Sequence, residues 1–417
     1  MLPLEAKTFV GYDGKRRTNV GMGYMIEKSF NTGGLAVMKK RQENQTDFVK
    51  HQKRRDDNDS LPAIEFLENI ACEYDNEGTE ANLAETLEEL RCERYRSADA
   101  SALTVESVRI DSTRIDRVPD GRFHTEVDGA RFECFYHASE YDYLYVVLDT
   151  MRDDETIAHG PLPRFHKWSW NTFLRGHLLS IEDPMYFESD IPVGWFYGTH
   201  ERDYRDATAK LVTSVARYLG IPNERIIFYS ISSGGASGLF TAAKIPGSVA
   251  IASNPQLDLT RFLPSALARF KECTGIDLNY EKQHGDVGRV DFAHVFSTDS
   301  PSKYLVIVNC RSKMDFNDQL IPFCQALGIT PHYGLQRVGN LIIWIIDAHG
   351  PHPHLRYESK TMYFAIDFLA KTLADGGDTD RLKPLYILFS EFWHEKAGLI
   401  AGDPVCLADA DPLARIR

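Results

Sequence analysis

The chain has 417 residues, of which 43% are hydrophobic and 26% are charged, and this balance is typical of a soluble globular protein. The formal net charge of −13 argues against a general nucleic-acid-binding protein, which needs a basic face, and gives no support for docking on an anionic membrane. A transmembrane helix needs about 18 or more consecutive apolar residues, and the sequence contains no such run.

The cysteines and the first residues bear on the compartment. The seven cysteines are scattered, without a Cys-x-x-Cys pair, as in proteins that keep free thiols in a reducing cytoplasm. The N-terminal residues lack the basic-then-apolar order of a signal peptide, so we expect a cytoplasmic protein. No cluster of His, Cys and carboxylate residues has metal-ligand spacing, and neither a metal nor another cofactor is expected.

The first hundred residues are predicted to form an accessory segment. Apolar residues at helical spacing predict helices over 62–74 and 79–95, in a region otherwise rich in glycine and charge. We expect residues 1–100 to be partly helical and to offer a docking surface for a protein partner. The main domain is then predicted over residues 101–375.

Strand and helix patterns alternate from about residue 103 onward. The predicted strands cover 105–118, 131–137, 143–149, 194–198, 225–231, 248–252, 304–308 and 341–346. Several are apolar throughout, as expected of strands covered on both faces. An amphipathic helix is predicted over 205–219, and a final core helix over 362–373. The alternation predicts an α/β fold with a doubly wound, mostly parallel sheet and helices on both faces.

Two segments depart from this alternation. Residues 260–300 mix one helical stretch with polar loop between core strands, where a lid over an active site is expected. Residues 376–417 are predicted to form a C-terminal helix, over 382–397, and a loosely held tail.

The stretch around Ser232 has the pattern of a nucleophile elbow. A buried strand is followed by Ser230, Ser232 and Gly234 in the order small-x-Ser-x-Gly, and then by a small-residue helix start. A nucleophile on such a strained turn needs small neighbours, because strand and helix pass closely there. Serine and glycine also occur in ordinary turns, so this interpretation depends on an acid and a histidine later in the chain.

Asp315 and His349 complete the predicted site. Each follows a predicted strand, and with Ser232 they give the chain order Ser, acid, His. Sites in parallel sheets form at the carboxyl ends of strands, so we expect Ser232 as nucleophile, His349 as general base and Asp315 as the group that orients the imidazole. The competing candidates are His352 and His354 for the base, and Asp318 and Asp258 for the acid.

Two backbone amides are predicted to stabilise a developing oxyanion. One is the N–H of Ser233, directly after the nucleophile. The other is expected in the loop after strand 143–149, at Thr150 or Met151.

Several blocks between residues 130 and 370 carry a family resemblance. They are LYVVLD at 144–149, PRF at 163–165, WSW at 168–170, DP at 183–184, GW at 194–195, FYSISSGG at 228–235 and NPQLD at 254–258. With these blocks the chain resembles bacterial α/β-hydrolase-like proteins of capsule, surface-glycan and glycoprotein assembly, including glycan O-acetyltransferase subunits of accessory secretion systems. Many relatives have glycine in place of Ser230, and a histidine shortly after the acid where this chain has Phe316 and Asn317.

The resemblance implies an α/β-hydrolase-like fold and a serine esterase or acyl-transfer site for glycan-linked esters, with Ser232 as nucleophile and His349 as base. Together with the residue patterns it predicts a serine hydrolase or acyltransferase. The expected substrate is an ester, acetyl or other acyl, of a glycan or small molecule, and the expected intermediate is an acyl-enzyme. The alternative is a catalytically inactive scaffold of this fold in a glycan-assembly or secretion complex.

Overall fold

A computed structural model gives the fold of the chain. It describes residues 9–10, 16–17, 106–112, 115, 117–152, 157, 163–168, 170, 174–346, 354, 370–371 and 373–376. The predicted helices over 62–74, 79–95 and 382–397 lie outside these residues. The chain divides into two units, residues 1–58 and 59–417. In the first unit, β1 (Phe9–Val10) and β2 (Arg16–Arg17) form a small antiparallel sheet.

The second unit contains a sheet of ten strands within the described residues. They are β3 (Val108–Arg109), β4 (Gly121–Val127), β5 (Ala130–His137), β6 (Leu144–Leu148), β7 (His177–Ile181), β8 (Ile226–Ile231), β9 (Val249–Ser253), β10 (Lys303–Asn309), β11 (Gly334–Val338) and β12 (Leu341–Ile346). Their order across the sheet is β11, β12, β10, β9, β8, β6, β7, β5, β4, β3. From β12 through to β7 all neighbours are parallel, which confirms the predicted mostly parallel sheet.

The central strands are apolar because both faces of the sheet are covered. Every residue of β6, β9 and β12 is buried, and successive side chains of a strand point to opposite faces. Fully apolar runs therefore mark these strands in the sequence, and the predictions over 143–149, 248–252 and 341–346 are confirmed.

One edge of the sheet differs from the prediction. The sequence predicts a strand over 105–118, but among the described residues of this range the strand covers Val108–Arg109, and both residues are exposed. The chain instead forms β4, which pairs antiparallel with β5. Polar side chains occupy alternate positions of β4, so the continuous apolar signal of the central strands is missing there.

The strand predicted over 194–198 is also wrong. Trp195 and Phe196 both have left-handed backbone, with φ of 53° and 52°, and the Tyr197 N–H donates to the Gly194 carbonyl in a turn. The Asp183 carboxylate holds this turn by accepting a 2.7 Å hydrogen bond from the Phe196 N–H. A Cβ on Gly194 would lie 2.5 Å from Asp183 Oδ2, so the turn needs glycine at that position.

Helices connect and cover the strands. Among the described residues, the α-helices with defined bounds are α1 (Met185–Glu188), α2 (Tyr204–Leu219), α3 (Ser232–Ala242), α4 (Pro264–Thr274), α5 (Leu278–His284) and α6 (Ile321–Ala326). Single 3₁₀ turns cover Asn223–Arg225, Leu259–Arg261, Val287–Arg289 and Phe292–His294, and a π-helical segment covers Met314–Leu320. In the part of the chain that the structure describes, no helix is long and apolar enough to cross a membrane.

Helix α2 matches its sequence signals closely. It begins after Asp203, whose side chain accepts a hydrogen bond from the Arg205 N–H, and it ends at Gly220 with φ 72°. An Asp cap and a left-handed glycine stop are common ends of helices, and they explain why the prediction over 205–219 agrees with the structure.

Residues 260–300, the predicted lid segment, pack onto the rest of the unit. Phe270, Val290 and Phe292 are buried in the hydrophobic core. The Lys282 Nζ lies 2.6 Å from Asp258 and 2.7 Å from Asp291, which ties α5 to the chain on either side of it. Whether this segment opens as a lid stays a prediction.

Candidate active site

Loops from five parallel strands meet at one edge of the sheet. Thr150 follows β6, Ser232 follows β8, Gln256 follows β9, Asp315 follows β10 and His354 follows β12. In parallel α/β sheets, sites form at the carboxyl ends of the strands, which is the edge where these residues lie.

Ser232 stands on the strained turn that the elbow pattern predicts. It joins β8 to α3 with φ 53°, a left-handed conformation that non-glycine residues adopt only at a cost of about 1–2 kcal/mol. Such strain is common at functional sites. A Cβ on Gly234 would lie 2.4 Å from the Leu148 carbonyl oxygen, so the start of α3 packs directly against the end of β6.

Ser230 completes the hydrogen bonding where β6 and β8 separate. The two strands pair from Leu144 opposite Ile226 to Val146 opposite Phe228. Beyond that point the Leu148 N–H donates to Ser230 Oγ at 3.0 Å, and Ser230 Oγ lies 3.1 Å from the Leu148 carbonyl oxygen that it can donate to. Ser230 thus satisfies two buried backbone groups.

We expect Ser230→Ala to lower the free energy of unfolding by about 1–3 kcal/mol, because it leaves buried Leu148 groups without a partner. Urea unfolding followed by circular dichroism measures this loss. Ser265→Ala, at an exposed position of α4, is the control and should change stability by less than about 0.5 kcal/mol. Equal stability of Ser230→Ala and the wild type would show that the hydroxyl does not support the elbow.

His354 lies between Ser232 and Asp315. Its Nε2 is 2.9 Å from Ser232 Oγ, and its Nδ1 is 2.6 Å from Asp315 Oδ2. Asp315 is fully buried on the π-helical segment and also accepts a hydrogen bond from Ser312 Oγ. The His354 side chain is 23% exposed, so the imidazole borders solvent while the carboxylate does not.

The histidine in this position is not the one that the sequence favoured. His349 and His352 lie outside the described residues, and the structure says nothing of their placement. His354, which the sequence left as a competitor, is the histidine that contacts both Ser232 and Asp315. The assignment of the base therefore moves from His349 to His354 as a proposal.

The two competing acids lie in other surroundings. Asp318 is exposed on the π-helical segment. Asp258 accepts hydrogen bonds from Thr260, Arg261 and Lys282, so its oxygens are engaged in structural contacts. Of the three candidate acids, Asp315 is the one for which a contact with an imidazole is seen.

The predicted oxyanion amides come from two elements, the start of α3 and the loop after β6. Ser233 is in the first turn of α3, where backbone N–H groups have no partner within the helix. The Thr150 N–H instead donates to Asp149 Oδ1 at 2.8 Å, and the Thr150 carbonyl accepts from Tyr186 and Arg164. Because the Thr150 amide is engaged, Met151 is the better candidate for the second donor.

Buried charged side chains hold the loop that carries Thr150 and Met151. Arg164 Nη2 lies 2.7 Å from Asp149 Oδ1, and Arg152 Nη2 lies 3.5 Å from Glu182 Oε2. Burial, together with the Asp149 charge, raises the pKa of Glu182 well above its usual range. Burial alone would lower the pKa of Arg164, but the Asp149 and Glu182 carboxylates raise it above its usual value.

Two residues of the turn after β9 also contact the site, and neither was predicted from the sequence as a site residue. Gln256 Nε2 donates to Ser232 Oγ at 3.2 Å. Asn254, with φ 44°, donates from Nδ2 to the His354 carbonyl at 3.0 Å and accepts from the Asn309 N–H. Both belong to the NPQLD block, and the available signal was its position directly after a strand next to the elbow strand.

The chain matches no protein-family model and no curated protein. Several solved structures are similar to it. The capsule O-acetyltransferase of Neisseria meningitidis serogroup A is 15% identical with a TM-score of 0.41, over 62% of this chain and 97% of that chain. The dipeptidyl peptidase 4 of Porphyromonas gingivalis is 15% identical with a TM-score of 0.40, over 61% of this chain and 35% of that chain.

A third similar structure is the glycosylation associate protein (Gap123) complex from Streptococcus agalactiae. It is 14% identical with a TM-score of 0.38, over 54% of this chain and 42% of that chain. Likenesses at this level of identity concern the fold alone. The mostly parallel sheet, with a strained Ser232 between β8 and α3, gives this chain an α/β-hydrolase-like fold.

Proposed function

We propose that the protein is a serine hydrolase or acyltransferase with Ser232, His354 and Asp315 as its catalytic triad. The observation that carries the proposal is the pair of contacts at His354, 2.9 Å to Ser232 Oγ and 2.6 Å to Asp315 Oδ2. The left-handed φ of Ser232 supports the proposal, since a nucleophile elbow presents its serine to substrate at the carboxyl end of the strand.

The reaction follows from these positions. His354 Nε2 accepts the hydroxyl proton while Ser232 Oγ forms a bond to the ester carbonyl carbon, and the carbonyl π pair moves to oxygen. The amides of Ser233 and Met151 then stabilise the oxyanion. When the tetrahedral intermediate collapses, the imidazolium returns the proton to the leaving alcohol, and an acyl ester on Ser232 remains.

The second half of the reaction decides between hydrolysis and transfer. His354 removes a proton from the acceptor, which attacks the acyl carbon and releases Ser232. Water as acceptor makes the protein an esterase, whereas a sugar hydroxyl makes it an O-acyltransferase. We propose an ester of a glycan or small molecule as substrate, on the strength of the sequence resemblance.

A fluorophosphonate probe tests the proposal on the wild-type protein. We expect one adduct per chain by intact mass, mapped to the peptide that contains Ser232, and turnover of p-nitrophenyl acetate. Adding sugar acceptors should raise nitrophenol release if acyl transfer occurs and leave it unchanged if water alone is the acceptor. Heat-denatured protein is the control, because an unfolded serine has no base beside it. A folded wild type that neither labels nor turns over the ester would refute the proposal and favour an inactive scaffold.

A further inference from the structure

A series of side-chain hydrogen bonds runs through Ser232, and the chemistry of its members fixes which group donates at each step. The series begins at Trp195. The Trp195 Nε1–H donates to Gln256 Oε1 at 3.3 Å, and Gln256 Nε2 lies 3.2 Å from Ser232 Oγ. An indole N–H donates only, so the amide oxygen must face Trp195 and the amide nitrogen must face Ser232. Ser232 Oγ therefore accepts a hydrogen bond from Gln256.

The other end of the chain of hydrogen bonds has the complementary chemistry. An ionised Asp315 accepts only, so His354 Nδ1 carries a proton and donates to it. His354 Nε2 is then an acceptor, and the Ser232 hydroxyl donates to it. Each residue in the series thus donates to the next one, in the order Trp195, Gln256, Ser232, His354 and Asp315.

We propose that Gln256 is a further catalytic residue, whose side-chain amide donates to Ser232 Oγ. The inference rests on the proposed function of the triad. The amide occupies one lone pair of Oγ, which leaves the hydroxyl proton directed at His354. It also stabilises the negative charge that develops on Oγ as the proton moves to Nε2. Gln256 keeps both of its own amide protons, and the bonds that form and break are those of the acyl-transfer step.

The surroundings hold Gln256 in this position. Gln256 is fully buried, and Trp195 is packed by Phe262 and Phe270, with ring centroids 5.6 and 5.7 Å away. Both phenylalanines belong to residues 260–300, the predicted lid segment. This segment therefore packs against the Trp195 indole, and the indole in turn holds the Gln256 amide by a hydrogen bond. A buried amide with both ends hydrogen-bonded is pre-organised and needs no rearrangement when the charge develops.

Asn254 gives the same turn a second point of contact with the site. Its side chain donates to the His354 carbonyl, while Gln256, two residues later, donates to Ser232. One short turn after β9 therefore contacts both the proposed base and the nucleophile. This arrangement explains why a loop with no acid or base of the triad lies against the reacting atoms.

Gln256→Met tests the proposal, because it keeps the side-chain length and removes both N–H groups. We expect the second-order rate constant for fluorophosphonate labelling to fall about ten- to hundredfold, as for the loss of one hydrogen bond to a reacting oxygen. For p-nitrophenyl acetate, kcat should fall by a similar factor while KM stays near the wild-type value.

Gln256→Glu makes the labelling rate depend on pH in a way that a purely structural role of Gln256 would not. An ionised carboxylate accepts instead of donating, so it competes with His354 for the Ser232 proton and places a negative charge beside Oγ. We expect the labelling rate relative to the wild type to be lowest at alkaline pH. The ratio should rise as the pH is lowered and the introduced carboxyl gains its proton.

Gln319→Met is the matched control, since Gln319 is also buried but its amide oxygen accepts from the Asp258 N–H. Its labelling rate should remain close to that of the wild type. If Gln256→Met does not fold, Trp195→Phe removes the donor behind the amide and should slow labelling several-fold. Wild-type labelling together with unchanged rates in folded Gln256 variants would overturn this inference alone. Absence of labelling in the wild type would overturn the triad, and this inference with it.

Discussion

Ser232→Ala is expected to lower ester turnover by about 10⁶-fold, the scale seen when a serine hydrolase loses its nucleophile. The reason is that His354 and the oxyanion amides remain, but no oxygen is left to form the acyl-enzyme. Turnover of p-nitrophenyl acetate measures the loss, and the fluorophosphonate adduct should vanish from the intact-mass spectrum.

The control for this variant is Ser237→Ala, one turn further along α3. Ser237 is buried and donates to the Ser233 carbonyl, so the variant alters a helical serine that does not contact His354. We expect it to label. Since alanine keeps the strained φ of Ser232, Ser232→Gly is a second inactive variant, in which glycine relieves the left-handed strain. Residual turnover or labelling near the wild-type level in either folded Ser232 variant would exclude Ser232 as the nucleophile.

His354→Ala is expected to lower turnover by about 10⁴- to 10⁶-fold, because it removes the proposed base for the Ser232 proton. His349→Ala and His352→Ala are the matched comparisons, since they change the same residue type within five residues of His354 in the sequence. We expect both to keep turnover within about tenfold of the wild type, less than the loss of a general base would cause.

The three histidine variants separate the structural assignment from the sequence-based one. Burst-phase release of nitrophenol reports acylation, and steady-state turnover reports the whole cycle, so each variant is measured in both. An inactive His349→Ala beside an active His354→Ala would restore the base that the sequence favours. Inactive, folded forms of both would mean that the loop needs more than one histidine.

Local patterns account for what the sequence could predict. Central strands such as β6 and β12 are apolar at every position, because helices and loops cover both faces of the sheet. The elbow is recognisable because Ser230, Ser232 and Gly234 must all be small for strand and helix to pass. Both signals need only neighbouring residues, so a single sequence carries them.

Strand β4, which lies next to the edge strand β3, was not predicted for the converse reason. Its polar residues alternate with buried ones, and its place in the sheet depends on pairing with β5. Such alternating strands are stabilised by cross-strand contacts as much as by their own composition. The sequence of β4 alone therefore does not distinguish it from a polar connection.

Tertiary contacts support His354 as the proposed base. His349, His352 and His354 lie within six residues of the sequence, and the sequence favours His349 only because it is nearest the end of the predicted strand. His354 meets Ser232 across 122 residues of sequence, and its carbonyl is held by Asn254 across 100 residues. The contact of His354 with Ser232 depends on how residue 354 lies against the turn after β9.

The sequence by itself thus determined the α/β class, the central strands and the serine elbow, since each depends on short-range patterns of size and polarity. Only the tertiary structure decided that His354 faces Ser232 and that Gln256 donates to it. The Trp195–Gln256 contact joins residues 61 apart, from loops whose individual sequences contain no information about each other. Side chains from separate loops come together only when the sheet places the ends of its strands side by side.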